Sequence, residues 1–472
     1  MKHTFIRPAV LALALGLSLT GCKDPLDIAP QQGIDVSVAL NTPEKVGGAV
    51  VGMYAKLDDP RLYGTDLILV PELIGPENYI RWDGTFTNYR QIATRSSFTS
   101  LNTTAAGIWQ RAYEDINQAN LVLSALPVVT NADLKAQYEG EARFVRGLLY
   151  FDLVRLYGQQ YQPGTANAQL GVPITLAANT TVDQATVKLP RATVAQVYTQ
   201  VINDLTIAMQ KLPESNGTRA TTYAAEALLA RVYLQQSNFA DARTAADDVI
   251  THSGKSLAGS VAAIFANRNG SETLFELQQN DQNNAGTSND GLATYFASDG
   301  GVGRGDVRIL PAFSTQYEDS DARGTDSLAA SATRKLIYLG DGARPGRLRS
   351  IKYRTYGQNI PIIRLAEMYL IRAEADVRAG NTADALADVN RIRTRSGATP
   401  LTTVTLEDVL HERQLELAFE GFHIYDLKRT NAVIVPAAGT TPAVNANDPK
   451  LILPIPQHDI NLNELLVQNP GF

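Results

Sequence analysis

Apolar residues recur every three or four positions in the last quarter of the chain, which is the spacing of one face of a helix. The pattern covers residues Arg364 to Ile392 and is interrupted at Gly380. Glycine can adopt the left-handed conformation that ends a helix, and Thr382 can cap a following one. We therefore predict a two-helix hairpin at this position.

Residues 223 to 250 repeat the same pattern earlier in the chain. Small and polar residues coincide at the positions where two helices approach closely: Ala230, Asn238, Ala240, Asp241 and Ala242 correspond to Ala373, Asn381, Ala383, Asp384 and Ala385. A two-helix unit cannot bury its apolar face alone, so neighbouring units must stack on it. The repeat is typical of tetratricopeptide-like hairpins.

Further helical segments precede these hairpins. They are Glu44 to Leu57, Ile108 to Leu126, Leu134 to Tyr157 and Val194 to Leu212. With the hairpins they amount to roughly eight principal helices. We predict a mainly α fold, with a tetratricopeptide-like scaffold of about four helix pairs.

Two segments are rich in loops. Residues 58–104 are a mixed stretch with aromatic residues among Gly, Asn, Asp and Thr, and from 253 to 359 the helical period is lost and Gly, Asn, Asp and Ser dominate. Short extended pieces are expected at Thr273 to Gln278 and at Ser350 to Arg354. So long an irregular insertion is unusual in a helical protein. Such insertions commonly lie on one face of a repeat scaffold and carry binding.

The chain starts with the pattern of a lipoprotein signal peptide. Lys2 and Arg7 precede an apolar run, and Leu19-Thr20-Gly21 stands directly before Cys22. We expect cleavage after residue 21 and lipidation of Cys22, with diacylglycerol and acyl chains as the membrane anchor. Residues 22–43 then form a tether and strap, and 44–472 a single domain.

Charge and cysteine content exclude several classes of protein. The net charge is −6, and loss of residues 1–21 removes two positive and no negative charges, which leaves −8. An acidic chain without basic runs is a poor candidate for binding nucleic acid. Cys22 is the single cysteine, so no disulfide forms. No later stretch has the eighteen or more apolar residues of a spanning helix.

Several motifs in the C-terminal part occur together in one order. They are RLAEMYLIRAEA from Arg364 to Ala375, VNRIRTRSG after it, ERQLELAFEG from Glu412 to Gly421, Asp426-Leu427-Lys428-Arg429, and the terminal LPIPQHDINLNELLVQNPGF. In these motifs the chain resembles the SusD/RagB family, whose members are surface lipoproteins of Bacteroidetes that work with a TonB-dependent transporter in nutrient uptake.

The resemblance implies a substrate-binding lipoprotein of the outer membrane that faces the cell exterior. It would capture oligosaccharides and act as the lid of a SusC-like TonB-dependent transporter. A peptide cargo is an alternative, and so is a helical-repeat scaffold that binds only protein partners. Asp321-Ala322-Arg323 and Ile351-Lys352-Tyr353 also resemble family signatures, and we assign both to structure.

No catalytic or metal-binding motif is apparent, so an enzyme, a cofactor and a metal site are not expected. His411-Glu412 lacks the second histidine of a zinc protease helix, because Leu415 stands in its place. His423 occupies a position where the family more often has arginine, which puts an ion pair there in doubt. The glycine-rich run 300–305 has no strand before it and no helix after it, so it is no phosphate loop. Asn and Asp residues between 281 and 290 miss the spacing of a calcium loop.

Aromatic residues in the irregular segments are the candidates for ligand contact. Pyranose rings stack on aromatic side chains, and their hydroxyls need polar partners. Two groups combine both types: Asn78, Tyr79, Trp82, Asp83 and Tyr89 in the first segment, and Tyr295, Phe296, Arg304 and Asp306 in the second. The alternative is that these rings only anchor loops to the helices.

Overall fold

The fold is that of a computed structural model, which describes residues 39–329, 333, 335–438 and 442–472. The predicted signal peptide, Cys22 and most of the 22–43 tether lie outside these residues. Within the described ranges, no helix is both long and apolar enough to cross a membrane.

About half of the chain is helical, as the sequence predicts. The helices in chain order are α1 Pro43–Leu57, α2 Asp66–Ile74, α3 Thr87–Thr94, α4 Thr103–Ala125, α5 Ala132–Tyr157, α6 Val182–Ala185, α7 Val194–Lys211, α8 Thr222–Gln235, α9 Phe239–His252, α10 Val261–Ala266, α11 Leu292–Phe296, α12 Pro311–Ser314, α13 Leu365–Ala379, α14 Thr382–Arg395, α15 Leu406–Glu416, α16 His423–Arg429 and α17 Gln457–Leu462.

The long helices pack in sequence order as a stack of hairpins. Helix α1 lies on α4, α4 on α5, α5 on α7, α7 on α8, α8 on α9, and α9 on α13 with its partner α14. Buried or partly buried ion pairs join successive layers, among them Arg146–Asp204 between α5 and α7 at 2.6 Å and Arg231–Glu367 between α8 and α13 at 2.7 Å. The predicted tetratricopeptide-like scaffold is confirmed.

The two repeated hairpins have the predicted turns, with one difference. Gly380 ends α13 with a φ of 84°, in the left-handed region. Asn381, and not Thr382, is the residue that precedes α14, and Thr382 is already helical. The prediction of a Thr382 cap is therefore wrong, because Asn381 takes the non-helical cap conformation and donates its side-chain amide to Asp376 at 3.1 Å. Asn238, at the equivalent position, accepts a hydrogen bond from the Asp241 amide.

The strands form small two-stranded antiparallel sheets: β1 Ile80–Trp82 with β3 Val307–Ile309, β2 Thr273–Leu277 with β6 Ile360–Arg364, β4 Ile337–Leu339 with β5 Leu348–Ser350, and β7 Val433–Val435 with β8 Val444–Asn445. The extended piece predicted at Thr273 is confirmed as β2. The piece predicted from Ser350 to Arg354 is wrong beyond Ser350, because the Ser350 hydroxyl accepts a hydrogen bond from the Lys352 amide and a 3₁₀ turn follows.

A network of ion pairs, buried except at Glu318, attaches the irregular segment 253–359 to the scaffold. Arg323, Lys352, Arg364, Arg393 and Arg395 are its cations, and Glu272, Glu318, Asp321, Glu412, Glu416 and Glu420 are its acids. We call this set the buried ion network. Cations and acids are nearly balanced in it, as burial of charge requires. It includes Arg323 and Lys352 from the two segments that the sequence assigned to structure.

Candidate functional site

An open groove lies where α1, α5 and strand β2 meet. Its volume is about 640 Å³. The walls combine two aromatic rings with several polar side chains: Glu44, Val51, Tyr54, Asp58, Tyr138, Arg219, Glu276, Gln278 and Asn283 are among the lining residues. A second opening of about 290 Å³ shares Thr218, Arg219 and Glu276 with it, so the groove continues along β2. We call the two together the β2 groove.

The polar groups of the groove are held in place by the scaffold. Glu276 is buried, and its Oε1 accepts hydrogen bonds from the Asn269 amide at 2.6 Å and from the Asn359 side chain. Its other oxygen, Oε2, has no hydrogen-bond partner among the described residues. Burial raises the pKa of Asp58 to about 6, and Gln279 donates a hydrogen bond to that carboxyl at 2.7 Å. The partly exposed Asp58 carboxyl is an acceptor that suits ligand hydroxyls, whereas Oε2 of Glu276 is buried.

The sequence predictions did not include this groove. Tyr54 and Tyr138 lie on helices α1 and α5, where a tyrosine is ordinarily a core residue. Glu276 lies in a strand that is buried along its whole length. These residues come from three distant parts of the chain, so no local spacing relates them. A buried glutamate inside an apolar strand is the only signal that could have drawn attention to one of them.

The predicted aromatic candidates Trp82, Tyr89 and Tyr295 gather into one cluster with Phe86. The ring centroids of Trp82 and Tyr89 are 4.8 Å apart, those of Trp82 and Tyr295 5.3 Å, and those of Tyr89 and Tyr295 5.4 Å. These three side chains are buried, whereas Phe86 is 38% exposed. The cluster is therefore a packed support beneath Phe86, and ligand contact by the three buried rings stays a prediction.

Charged groups hold the inner side of this cluster. The hydroxyl of Tyr89 donates to Asp66 at 2.7 Å, and that of Tyr295 donates to Asp290 at 2.5 Å. Arg61 bridges both carboxylates, at 2.9 Å to Asp66 and 2.8 Å to Asp290. Burial raises the pKa of Asp66 to about 7 in spite of Arg61. These contacts orient the tyrosines from below.

Tyr79 and Phe296 lie deeper, in the core. The ring of Tyr79 packs edge-on against Phe313 at 4.6 Å and is stacked with Phe419 at 5.4 Å. Phe296 packs against Tyr353. Both side chains are at most 1% exposed, so the structure gives them a packing role, and ligand contact by them stays a prediction. The neighbouring candidate Asn78 is exposed.

The remaining candidates, Asp83, Arg304 and Asp306, meet at the outer side of the cluster. Strands β1 and β3 bring them together, and the Asp83 amide donates to the Asp306 carbonyl at 2.7 Å. Arg304 pairs with Asp306, and its guanidinium carbon lies 4.7 Å from the Phe86 ring centroid. Glycine is required beside it, because Gly303 has a φ of 76° and a Cβ there would lie 2.2 Å from the Ala297 carbonyl oxygen. The sequence did not show that Asp83 lies beside Arg304 and Asp306, because Asp83 is far from them in the chain.

Two histidines of the described residues, His411 and His423, have lowered pKa values. Burial lowers the pKa of His423 to about 4, and its ring lies 4.8 Å from that of Tyr79. Burial also lowers the pKa of His411. Among the residues described, no group of three or more His, Cys, Asp and Glu side chains is arranged to hold a metal ion.

Comparison with known proteins shows similarity to one family. Residues 320–472 match the model of the SusD family, and residues 27–234 match a family described as starch-binding associating with outer membrane. A SusD-like protein of Bacteroides ovatus is 27% identical over 90% of this chain and 82% of its own length. The starch-binding protein SusD of Bacteroides thetaiotaomicron is 25% identical over the whole of both chains.

Solved structures agree with this result. A SusD superfamily protein of Bacteroides thetaiotaomicron superimposes with a TM-score of 0.77 at 26% identity and covers 91% of this chain and all of its own. A protein of Bacteroides vulgatus described as a putative sugar binding protein reaches 0.79 at 26% identity over 92% of this chain and 99% of its own. In sequence and in fold the chain is therefore similar to the SusD/RagB family along most of its length.

Proposed function

We propose that the protein captures an oligosaccharide in the β2 groove and delivers it to a TonB-dependent transporter of the outer membrane. Relatives that are named as starch-binding or sugar-binding support the class of ligand. The lipobox at Cys22 supports attachment to a membrane, and the match to a family associating with the outer membrane indicates which one.

The groove carries this proposal. Its volume of about 640 Å³ is of the size that small-ligand sites have. Tyr54 and Tyr138 line the groove with ring surface for sugar C–H groups, and the partly exposed Asp58 carboxyl is an acceptor. Gln278 and Arg219 supply donors at the rim. Rings and fixed polar groups in one groove favour a hydroxyl-rich ligand over an apolar one.

Filling the groove tests the proposal. Val51 lies on α1 in the groove wall and is 57% exposed, so Val51→Trp should fold and occupy the groove. The matched control is Val467→Trp, whose residue is 58% exposed at a position that does not line the groove. We expect calorimetric titration with a panel of neutral oligosaccharides to show binding to the native protein and the control, and loss of binding in Val51→Trp.

A parallel titration with a peptide pool distinguishes the alternative cargo. If the protein binds peptides and no oligosaccharide, its cargo is a peptide and the rest of the proposed role is unchanged. Equal affinity of Val51→Trp and native protein for every ligand would place the site elsewhere. Binding of neither class would favour the alternative of a pure interaction scaffold.

The anchor and the partner need separate tests. Cys22→Ala should release the protein from the membrane fraction and abolish labelling by a fatty-acid analogue. Protease treatment of intact cells should cut the native protein if it faces outward. Cross-linking in cells to the product of a neighbouring transporter gene should recover the two as one complex, and its absence would remove the lid role.

A further inference from the structure

The aromatic cluster of Trp82, Phe86, Tyr89 and Tyr295 is called the Phe86 cluster. Five arginines lie at its outer side and outnumber the acids that they contact. They are Arg81, Arg304, Arg308, Arg344 and Arg347. Within the described residues their ion pairs are made with two carboxylates, Asp83 and Asp306. We propose that this arginine face is a second saccharide site, which binds carbohydrate that carries carboxylate or sulfate groups.

The arginines form one surface and not a scatter of separate cations. Asp83 lies 3.1 Å from Arg81, 3.2 Å from Arg308 and 2.7 Å from Arg347. Asp306 pairs with Arg304 and Arg344, and Arg344 also donates to the Arg304 carbonyl at 2.9 Å. Because the Asp83 amide binds the Asp306 carbonyl, the two groups are contiguous.

The excess of positive charge works against folding. Arg81 and Arg308 are directly opposite in the β1–β3 pair, and like charges in that position are destabilising. Arg349, fully buried behind the face, adds another cation whose Nε has no hydrogen-bond partner among the described residues. The face thus carries a net positive charge in a protein whose overall net charge is −6.

The buried ion network shows how this chain treats arginines that serve only the fold. There, five cations meet six acids. At the arginine face the two acids are too few to balance the charge of the five arginines. The side chains of Arg81 and Arg347 are 65% and 39% exposed. Surface cations in such excess are available to an anionic ligand. Guanidinium groups bind carboxylate and sulfate-like oxyanions through two parallel hydrogen bonds.

The partly exposed ring of Phe86 favours a sugar as the anionic ligand of the arginine face. Its ring is partly exposed and lies under the Arg304 guanidinium. The Trp82 indole donates to the Phe86 carbonyl at 3.2 Å, so the position of Phe86 is set by the cluster beneath. An aromatic ring beside arginine forks offers both the stacking surface and the counter-charge that an acidic sugar needs. Asp83, Arg304 and Asp306 of the predicted candidates belong to this site.

The test compares charged and neutral sugars on matched proteins. The inference takes the saccharide nature of the ligand from the proposed function, but it concerns a separate surface. We would titrate the purified protein with a neutral oligoglucan, an oligouronate, a sulfated oligosaccharide of equal length, and polyglutamate. The variants are Arg81→Gln/Arg347→Gln, and Arg111→Gln as a control whose side chain is 47% exposed on α4.

We expect the oligouronate or the sulfated sugar to bind, and the double variant to bind it at least roughly tenfold more weakly, since each charge-assisted contact contributes about that much. Binding should weaken between ~50 mM and ~200 mM salt, because exposed charges are screened. Arg111→Gln should bind as the native protein does. Binding of the oligouronate would identify the recognised group as a carboxylate, and binding of the sulfated sugar would identify it as a sulfate.

Three results would overturn the inference: unchanged affinity in the double variant, no binding of either charged sugar, or equally tight binding of polyglutamate, which would make the face a site for acidic protein chains. Loss of neutral-sugar binding in Val51→Trp together with an unaffected double variant would leave the proposed function intact and remove this inference alone.

Discussion

Charge burial is the main feature of this protein at the scale of single residues. Glu416 is fully buried and accepts hydrogen bonds from Arg323 at 3.0 Å and from Arg364 at 2.5 Å. Burial by itself would raise the pKa of Glu416, but Arg395, Arg364 and Arg323 hold it well below its usual value. The family motif ERQLELAFEG thus supplies the acids that receive arginines from distant segments.

Glu416→Gln should destabilise the fold strongly. The substitution leaves buried guanidinium groups without their counter-charge, and breaking a buried pair in this way costs about 3–5 kcal/mol. Glu464→Gln is the control, because its ion pair with Lys188 is exposed and contributes little to stability. Urea unfolding followed by circular dichroism measures both, and equal midpoints for the two variants would contradict the assigned role.

His423 should make stability depend on pH. Its pKa is lowered by burial from 6.5 to about 4 in the folded state. The unfolded chain therefore takes up the proton first, so the contribution of His423 is complete above pH 6.5 and is lost as pH falls towards 4. We expect the native protein to lose up to about 3 kcal/mol more than His423→Gln over this range.

Urea midpoints of both proteins at several pH values test this prediction. Other titrating groups, such as Asp66, are common to native protein and variant and cancel in the difference. Parallel curves would show that His423 titrates normally and is accessible to water.

At the scale of elements, the hairpins are what a local sequence pattern can predict. Apolar spacing and Gly380 identified α13 and α14, and the repeat identified α8 and α9, because a helix and its turn depend on neighbouring residues. The cap was misassigned by one residue, since Thr and Asn are both good caps and the contact of Asn381 with Asp376 decides between them. Segment 58–104, which was predicted to be rich in loops, contains helices α2 and α3, and the strand pairs of segment 253–359 were not predicted.

Gly380→Ala should destabilise the second hairpin by about 1 kcal/mol, because a Cβ is strained in the left-handed region. The site is otherwise open, with no atom within 4 Å of an added Cβ, so strain is the only cost. Gly48→Ala, on an equally open face of α1, should instead stabilise by about 0.5–1 kcal/mol. Opposite shifts in the thermal midpoint are expected; shifts of the same sign would refute the conformational explanation.

At the scale of the whole molecule, the irregular segment and the helical stack share one core. A single cluster of buried side chains extends from Val46 in α1 to Leu466 near the C-terminus and includes Tyr295 and Ile337. The buried ion network crosses the same boundary. The loops that form the arginine face therefore rest on the scaffold and are not held by local contacts alone.

The two tryptophans test this coupling. Trp82 lies in β1 beside the arginine face, and Trp109 lies in α4 with its ring 5.1 Å from that of Tyr157. In Trp109→Phe only Trp82 fluoresces, and in Trp82→Phe only Trp109 does. We expect fluorescence and far-ultraviolet circular dichroism to give one common midpoint within each variant, as a single cooperative unit requires. An earlier fluorescence transition in Trp109→Phe would show that the loop region unfolds on its own.

The sequence by itself determined the helix pairs and the family resemblance, because these depend on short-range periodicity and on contiguous motifs. Only the tertiary structure decided which side chains are available to a ligand. It buried Tyr79, Trp82, Tyr89 and Tyr295, which local composition placed in polar loops. It also brought Tyr54, Tyr138 and Glu276 to one groove and gathered five arginines on two carboxylates, since burial and charge balance are set by contacts between residues far apart in the chain.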